Sequence, residues 1–369
     1  MSVAATESVP DLSVGVEEEF FLVDPSGHLS TAGSDVVAEA GHDIHGLQRE
    51  LTRCQIETAT GVCHTGEELH EELRSLRRRL AKAAAGRDLL LLPSGTSLSA
   101  EGLPPVITPS PRYEEMARRF GSIVDTVTTC GCHVHVGIPN RDIGVQVSNR
   151  LRSWLPVLLA LAANSPFHSG HDTGYQSWRH IMWSRWPSVG PPPHFDSADE
   201  YESIVGAMIG TGAAMDRGMI YWHVRLSDKQ PTIEVRIADV AMTAAHAALY
   251  AVMVKGLVGW ALRSIRDGDT VPWLRAELLR AQLWRAARDG LDGECTSPAT
   301  DLSLPIRRHL ELLNECVAPG LGASDRQFLE SGLDTVMREG TGAEKQRAEF
   351  ARAGTLAAVV DLLTNGAVS

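Results

Sequence analysis

The sequence predicts an α+β fold, in which an antiparallel β-sheet has helices packed on its back and the C-terminal third is helical. Short segments rich in β-branched and aromatic residues mark strands up to residue 239, beginning with residues 14–23. From residue 241 to residue 363 the pattern is helical, with a long loop at residues 289–304. Because no repeat or linker divides the chain, we expect a flexible tail at residues 1–12 and a single domain at residues 13–369.

The composition argues against several classes of protein. The formal net charge is −12, whereas nucleic-acid-binding proteins usually carry a basic stripe. The basic cluster at residues 74–82 follows several glutamates on one predicted helix, a pattern typical of a solvated helix. No apolar segment of about twenty residues predicts a membrane span, and the N-terminus lacks the pattern of a secretory signal. The six cysteines lack the spacing of a disulfide framework, so we expect a cytoplasmic protein that binds neither nucleic acid nor membrane.

Three consecutive glutamates interrupt the first predicted strand. Side chains alternate across a strand, so Glu17 and Glu19 share one face with Gly15, while Glu18 lies on the other. Burying an unpaired carboxylate costs several kcal/mol, so these acids require either an exposed edge strand or a positive partner. A distant arginine, or a divalent cation that prefers oxygen ligands such as Mg²⁺, would supply that partner.

The segments that follow extend the predicted sheet and supply its first helices. Residues 49–60 look extended and carry Glu57 on one face. The later elements are a leucine-rich amphipathic helix over residues 65–86, a buried strand over residues 89–92, a polar loop up to residue 111 and a helix over residues 112–126.

The segment at residues 128–137 combines two cysteines with two histidines, a composition that suggests zinc. Strand alternation argues against a zinc site, because Cys130 and Cys132 face one way while His133 and His135 face the other. We expect the thiols to pack in the core as small apolar groups. The histidines, which are flanked by glycines, are then expected to form a polar pair on the opposite face.

A helix and a long irregular segment follow. Residues 151–163 predict a buried helix, and residues 164–191 are rich in tryptophan, proline and hydrogen-bonding groups. Loops of this length inside a domain are usually functional or disordered, and the tryptophans argue against disorder. Residues 199–208 predict a further helix.

The last two predicted strands flank a polar turn at residues 228–230. His223 and Arg225 share one face of the first strand, and Glu234 and Arg236 share one face of the second. A cross-strand ion pair between Arg225 and Glu234 is the simplest interpretation. This pairing leaves Arg236 without an obvious local acid.

Polar residues from separate strands therefore meet on one face of the predicted sheet. Four carboxylates and two imidazoles suit one or more divalent ions, and the arginines suit phosphate oxygens that such ions bridge. No P-loop or GxGxxG motif is present. The arrangement suits metal–nucleotide phosphoryl transfer on the concave face of the sheet. The residues of this predicted site are Glu17, Glu19, Glu57, His133, His135, Arg225, Glu234 and Arg236.

Five short strings follow one another along the chain. They are Gly15-Val-Glu-Glu-Glu, Gln55-Ile-Glu-Thr-Ala-Thr, Cys132-His-Val-His-Val-Gly, Asn164-Ser-Pro-Phe with Gly170-His-Asp-Thr, and Thr232-Ile-Glu-Val-Arg. Together they resemble the type 2 glutamate–cysteine ligase family of carboxylate–amine ligases, and residues 284–290 also look like a segment of that family. More distantly, the first, third and fifth strings resemble strands of glutamine synthetase, which implies the same sheet-lined ATP site.

The resemblance implies an enzyme that uses ATP and two or three Mg²⁺ ions. It places His135 near the nucleotide phosphates and Arg236 on the transferred phosphoryl group. To these we add Arg225 as a phosphate partner and Arg179 as a carboxylate partner. Carried over by motif, the metal ligands are Glu17, Glu19, Glu57, His133 and Glu234.

The implied reaction joins a small-molecule carboxylate, expected to be glutamate, to an amine. The carboxylate attacks the γ-phosphate of ATP to form an acyl phosphate, and the amine then displaces phosphate to give an amide, here a γ-glutamyl bond. This chemistry needs no protein nucleophile, in agreement with the absence of a Ser/His/Asp or Cys/His signature. The sequence does not identify the amine, and it leaves a homo-oligomer open.

A segment outside these five strings departs from the family pattern. Relatives often have Gly-Thr-His-Pro where this chain has Gly95-Thr-Ser-Leu, so any role of that histidine is missing. Two alternatives to the ligase remain open. One is a metal-dependent amide hydrolase, in which the same acids and histidines activate water. The other is a non-catalytic nucleotide-binding homologue.

Overall fold

The computed structural model describes residues 12–40, 44, 46–99, 105–126, 128–270, 274–296 and 303–369. Of the expected N-terminal tail only Leu12 falls within these ranges, and it is buried. The strands are β1 (Val14–Val23), β2 (Gln48–Arg49), β3 (Gln55–Ala59), β4 (Leu90–Leu92), β5 (Gly131–Gly137), β6 (Phe167–His168), β7 (His171–Asp172), β8 (Val224–Leu226), β9 (Thr232–Asp239), β10 (Glu294–Thr296) and β11 (Ser303–Pro305). The helices are α1 (Gly33–Ala40), α2 (Gly66–Ala85), α3 (Pro111–Phe120), α4 (Arg141–Leu151), α5 (Leu155–Leu161), α6 (Trp178–Trp183), α7 (Ala198–Gly210), α8 (Ala244–Arg266), α9 (Ala276–Asp289), α10 (Ile306–Val317), α11 (Ala323–Glu339), α12 (Gly342–Ala353) and α13 (Leu356–Ala367).

Strand β1 lies at the centre of a seven-stranded antiparallel sheet. The strand order is β2–β3–β1–β5–β9–β8, and β4 pairs with β1 outside this path. β5 pairs with the N-terminal half of β1, and β4 pairs with its last three residues, so the two strands share one side of β1. This sheet, together with the helical C-terminal third, confirms the predicted α+β class.

The back of the sheet is apolar and is covered by helices, as predicted. Val16 of β1, Val134 of β5 and Val235 of β9 are fully or almost fully buried in one core cluster with residues of α2, α5 and α8. Burying each such side chain contributes about 1.5–3 kcal/mol. Because alternate residues face opposite sides of a strand, the polar residues between these valines lie on the other, open face.

The basic cluster on α2 is not wholly solvated. Arg77 has no exposed surface, and it reaches Glu18 on the back of β1 with Nε–Oε2 and Nη2–Oε1 distances of 2.9 and 2.5 Å. Its Nη2 also donates to the carbonyl oxygen of Ala241 at 2.8 Å. The expectation of a solvated helix face is therefore wrong at Arg77, because this residue lies on the leucine-lined face of α2 that packs under the sheet.

Several predicted boundaries differ from the structure. Residues 49–60 are not one extended run, because the chain turns between β2 and β3. The helix predicted over residues 112–126 ends as α3 at Gly121, whose φ of 53° continues into a 3₁₀ turn. The helix predicted over residues 151–163 is α5, and α4 before it was not predicted. The loop predicted over residues 289–304 contains β10 and β11, which pair with each other, while residues 297–302 lie outside the described ranges.

Helix α8 is apolar enough to deserve a comparison with membrane spans. Among the described helices it alone is long and apolar enough to cross a membrane by length and composition, a property that the sequence pattern did not predict for any segment. Yet 78% of its apolar window is buried inside the protein. The helix is therefore packed as the core element beneath β1 and β5.

Candidate active site

Polar side chains from four adjacent strands share the open face of the sheet. In the register, Glu17 of β1 lies opposite His133 of β5, and His135 of β5 lies opposite Glu234 of β9. On the other side of β1, Glu19 lies opposite Glu57 of β3. The strands thus bring together the acids and histidines that the sequence placed on one face.

The first cluster contains Glu17, His133 and Glu234. One ligand atom from each side chain lies within 4.8 Å of the others, and His133 Nδ1 is 3.2 Å from a carboxylate oxygen of Glu17. Burial alone would raise the pKa of Glu17, but hydrogen bonds with His133 and His135 lower it below the usual range. Burial lowers the pKa of His133. This cluster offers two ionised carboxylates and one neutral imidazole to a cation.

The second cluster contains Glu19, Glu57 and Glu50, and Glu50 was not predicted. Their carboxylates also bring one oxygen each within 4.8 Å of the others. Burial, and then repulsion from Glu50 and Glu17, raises the pKa of Glu57 well above its usual value. Within the described part of the chain none of the three carboxylates pairs with Lys or Arg. Closely packed acids without a protein cation are the donor set that a divalent ion fits.

Two arginines converge on Glu234 from adjacent strands. Arg225 of β8 contacts both carboxylate oxygens of Glu234, at 2.7 and 3.2 Å, which confirms the expected cross-strand ion pair. Arg236 also pairs with Glu234 through its Nη1, so the expectation that Arg236 lacks a local acid is wrong. Although burial opposes ionisation, these two guanidinium groups lower the pKa of Glu234. Arg236 Nη1 lies 3.4 Å from His133 Nδ1, which places it beside the first cluster.

Arg179, the remaining predicted residue, lies at one end of this face. Its Nη1 donates to the carbonyl oxygen of Ile237 at 3.4 Å, and a Cβ atom at Gly131 would stand 2.3 Å from its Nη2. Only glycine at residue 131 therefore leaves room for the guanidinium group on β5. Glu19 reaches the same place, because its carboxylate accepts the backbone N–H of Gly131 at 2.6 Å.

Cys132 of β5 and Cys130, which directly precedes the strand, lie apart from these two clusters. Cys130 and Cys132 are buried in the core, and burial raises the pKa of both thiols well above the usual value. Among the described residues no cluster with metal-ligand spacing contains cysteine. The prediction from strand alternation, that the thiols and the histidines lie on opposite faces, is therefore confirmed.

A cavity of about 680 Å³ opens at the end of the face opposite to Arg179. Glu17 and His135 form part of its wall, and His135 is oriented by a 3.0 Å contact between its Nδ1 and Thr232 Oγ1. The rest of the wall includes the apolar residues Leu12, Val62, Ile138, Pro139, Pro231 and Leu262. The size and mixed lining are those of a small-molecule site.

Comparison with known proteins identifies the family. The model described as "Glutamate-cysteine ligase family 2(GCS2)" matches residues 13–361. A protein of Rhodococcus jostii (strain RHA1) named "Putative glutamate--cysteine ligase 2-1" is 89% identical over 369 residues and covers 100% of both chains. A protein of Mycobacterium sp. (strain KMS) named "Putative glutamate--cysteine ligase 2-2" is 44% identical over 366 residues, covering 97% of this chain and 99% of its own.

Solved structures share the fold. The glutamate–cysteine ligase of Francisella tularensis, in complex with AMP, matches with a TM-score of 0.73 at 14% identity and covers 97% of this chain and 89% of its own. A bifunctional glutathione synthetase from Pasteurella multocida matches with a TM-score of 0.66 at 14% identity, covering 96% of this chain and 52% of its own. The sequence and family matches extend over nearly the whole chain, and this protein belongs to glutamate–cysteine ligase family 2, a family of ligases.

Proposed function

We propose that this protein is an ATP-dependent carboxylate–amine ligase that forms an amide, in particular a γ-glutamyl bond, through an acyl phosphate. The observation that carries the proposal is the pair of acidic clusters on one sheet face, beside the Arg225–Glu234–Arg236 group. The acids call for divalent cations, and the arginines suit the oxygens of a phosphoryl group in transfer. Residues 13–369 would then act as one catalytic domain.

Both clusters fit Mg²⁺ in the chemistry of their donors. Glu17, His133 and Glu234 would hold one ion, and Glu19 and Glu57, joined by the unpredicted Glu50, would hold another. Carboxylate oxygens are the ligands that Mg²⁺ prefers, and the excess of acids over protein cations in the second cluster leaves charge for an ion to neutralise. When bound, such ions would supply neutralisation of phosphate charge.

The nucleotide would occupy the cavity beside His135. A volume of about 680 Å³ lies within the usual range for small-molecule sites, and apolar side chains line much of it. His135, held by Thr232, stands between this cavity and the first acidic cluster. A triphosphate that extends from the cavity along the sheet would therefore meet His135, then the acids, then Arg236.

The chemistry follows from that alignment. An oxygen of the substrate carboxylate attacks the γ-phosphorus, and the bond from phosphorus to ADP breaks. Arg236 and Arg225 stabilise the negative charge on the transferred oxygens. The amine nitrogen then attacks the carbonyl carbon, the carbon–oxygen bond to phosphate breaks, and the nitrogen loses a proton to solvent. No protein nucleophile is required, and the buried thiols of Cys130 and Cys132 supply none.

A cytoplasmic setting is part of the proposal. All six cysteines are free, as expected for thiols in a reducing compartment. ATP, glutamate and small amines are the substrates expected there. Ser97 stands where relatives often have histidine, and within the described residues its buried hydroxyl has no hydrogen-bond partner. The panel of amines described below therefore decides which amine is used.

Nucleotide turnover tests the proposal. Purified protein with ATP, Mg²⁺ and glutamate should release ADP only after an amine is added, and a panel that includes cysteine would identify which amine. Cleavage of amides without nucleotide would instead indicate the hydrolase. Nucleotide binding without turnover across the whole panel would indicate the non-catalytic homologue, and either result would contradict the proposal.

A further inference from the structure

A buried arginine that forms no ion pair within the described residues lies at the end of the sheet face opposite to the nucleotide cavity. Arg179 is 3% exposed, and its Nε has no hydrogen-bond partner among the described residues. Asp239 is nearby, but its carboxylate already accepts the N–H of Asn164 at 2.8 Å and the hydroxyls of Ser165 and Ser177 at 2.7 and 2.8 Å. A buried guanidinium group with free donor capacity is favourable only if an anion completes it.

Two histidines, His180 and His223, lie close enough to this arginine for its charge to act on both. The rings of His180 and His223 stack with centroids 5.2 Å apart, and both side chains are buried. Burial, and then the charge of Arg179, lowers the pKa of His180 to about 4. The carbonyl oxygen of His223 accepts the backbone N–H of Arg236 at 2.8 Å, so this pair continues directly from the proposed phosphoryl site.

A second arginine reaches the same pair from outside the sheet. Arg280 projects from α9 in the C-terminal third, and its Nη2 lies 3.9 Å from where a Cβ atom at Gly190 would stand. Gly190 in turn accepts the backbone N–H of His223 at 2.8 Å, and Arg280 acts electrostatically on His223. Arg280 is exposed, and within the described ranges no acid forms an ion pair with it. Arg179 is thus buried at this end of the sheet face, and Arg280 is exposed at the edge of the same end.

We propose that Arg280, acting with Arg179, binds a second carboxylate of the acid substrate, and that Arg280 is thereby a specificity-determining residue. This inference rests on the proposed function. Arg236 lies between the nucleotide cavity and the two arginines, so a substrate whose reacting carboxylate meets the phosphoryl group would direct its far end toward them. Guanidinium groups recognise carboxylates through paired, charge-assisted hydrogen bonds.

Paired substrates test this assignment. Glutamate and 4-aminobutyrate share the reacting carboxylate and the amino group, but only glutamate has the second carboxylate. In Arg280→Met we expect kcat/KM for glutamate to fall roughly tenfold or more, with KM for ATP unchanged, because a hydrogen bond to a charged group is lost. The same variant should change kcat/KM for 4-aminobutyrate little. Arg275→Met, at the exposed start of the same helix, is the matched control.

The outcomes separate this inference from the proposed function. Amine-dependent ADP release by the unchanged protein tests the ligase activity by itself. If that activity is present and Arg280→Met weakens both acids equally, or neither, the assignment of the second carboxylate is overturned. Calorimetric binding of glutamate and 4-aminobutyrate in the presence of Mg²⁺ and a non-hydrolysable ATP analogue gives a readout that does not depend on turnover. Equal binding of the two acids by the unchanged protein would also overturn it.

Discussion

Glu18 and Glu17 are neighbours in β1, but they lie on opposite faces of the sheet and have different charged groups around them. On the back, Glu18 is 1% exposed and both of its carboxylate oxygens are paired with Arg77, which is itself fully buried. On the open face, Glu17 shares its space with other acids and with histidines. The protein itself neutralises the acid on the back.

This difference shows how structural and functional acids can be distinguished. An acid that the fold needs has its counter-charge built into the chain, as Glu18 has. The acids of the second cluster on the open face, Glu19, Glu50 and Glu57, have no Lys or Arg partner within the described residues. Their counter-charge is expected to come from bound cations, so the back face should govern stability and the open face should govern activity.

The largest expected effect is on the back face. Arg77→Met leaves the charge of Glu18 buried and unpaired, and we expect the free energy of unfolding to fall by about 3–5 kcal/mol. Denaturant unfolding measures this change. Arg79→Met, an exposed position two residues further along α2, should change stability by less than about 0.5 kcal/mol. Equal stability of the two variants would mean that the buried pair does not hold β1 against α2.

On the open face, Glu17→Gln should reduce activity strongly and stability little, in contrast to Arg77→Met. Removing one carboxylate from the first cluster is expected to lower kcat about 10²–10³-fold, the size of effect found when one group that stabilises charge in a transition state is lost. The free energy of unfolding without metal should fall far less than in Arg77→Met, because glutamine keeps a side-chain oxygen for the contacts with His133 and His135. Steady-state ADP release measures the change in kcat, and denaturant unfolding measures the change in stability. A variant with full activity would remove Glu17 from the site.

Addition and removal of metal sharpen the comparison. With Mg²⁺ at about one hundred times its Kd, the folded protein should be stabilised by about 2.7 kcal/mol, and chelation by EDTA should reverse this. Glu57→Gln should reduce the stabilisation, whereas Glu67→Gln, an exposed acid on α2, should retain it. Thermal unfolding with and without Mg²⁺ measures the effect. An identical response of both variants would argue against a cation at the second cluster.

The smallest expected effect concerns two histidines, one from each region, of which His180 is buried and His246 is partly buried. Burial lowers the pKa of His180 near the site, and of His246 on α8, from 6.5 to about 4. Between these values the unfolded chain binds a proton that the folded chain does not, so this stability is full above pH 6.5 and is lost as pH falls. Each histidine should contribute about 1 kcal/mol of lost stability between pH 6 and pH 5.

Unfolding measured across that pH range checks the histidines individually. His246→Gln and His180→Gln should each flatten the decrease in stability, and His171→Gln, an exposed control, should not. If neither of these two variants flattens the curve, the histidines do not remain neutral in the folded protein.

The residues on the open face were predictable because strand alternation is a local property. Period-two patterns in single segments placed Glu17, Glu19, His133 and Glu234 on one face, and the register confirms their proximity. The same rule separated the β5 cysteines from the histidines. The proximity of residues from different strands then depended only on which strands are neighbours in the antiparallel sheet.

The rest depended on contacts that no local pattern encodes. Arg77 and Glu18 form their ion pair although they are 59 positions apart in the sequence. Within α2, only its place on the leucine-lined face distinguishes Arg77 from its solvated neighbours. Glu50 was missed because the sequence of residues 49–60 looks extended as one segment, whereas the chain turns between β2 and β3. A hairpin interpretation would have paired Gln48 with Glu57 and placed Glu50, two residues on, on the same face. Arg280 lies in the helical C-terminal third, and its helical pattern does not indicate that it lies near the sheet.

The most direct measurement follows the oxygen atoms of the acid substrate. Glutamate labelled with ¹⁸O in its γ-carboxylate is incubated with ATP, Mg²⁺ and the amine that supports ADP release, and the inorganic phosphate is analysed by mass spectrometry. Transfer through an acyl phosphate predicts one ¹⁸O in phosphate for each amide formed, and none in nucleotide. Unlabelled phosphate, or label recovered in AMP, would contradict activation of the carboxylate by the γ-phosphate on this sheet face.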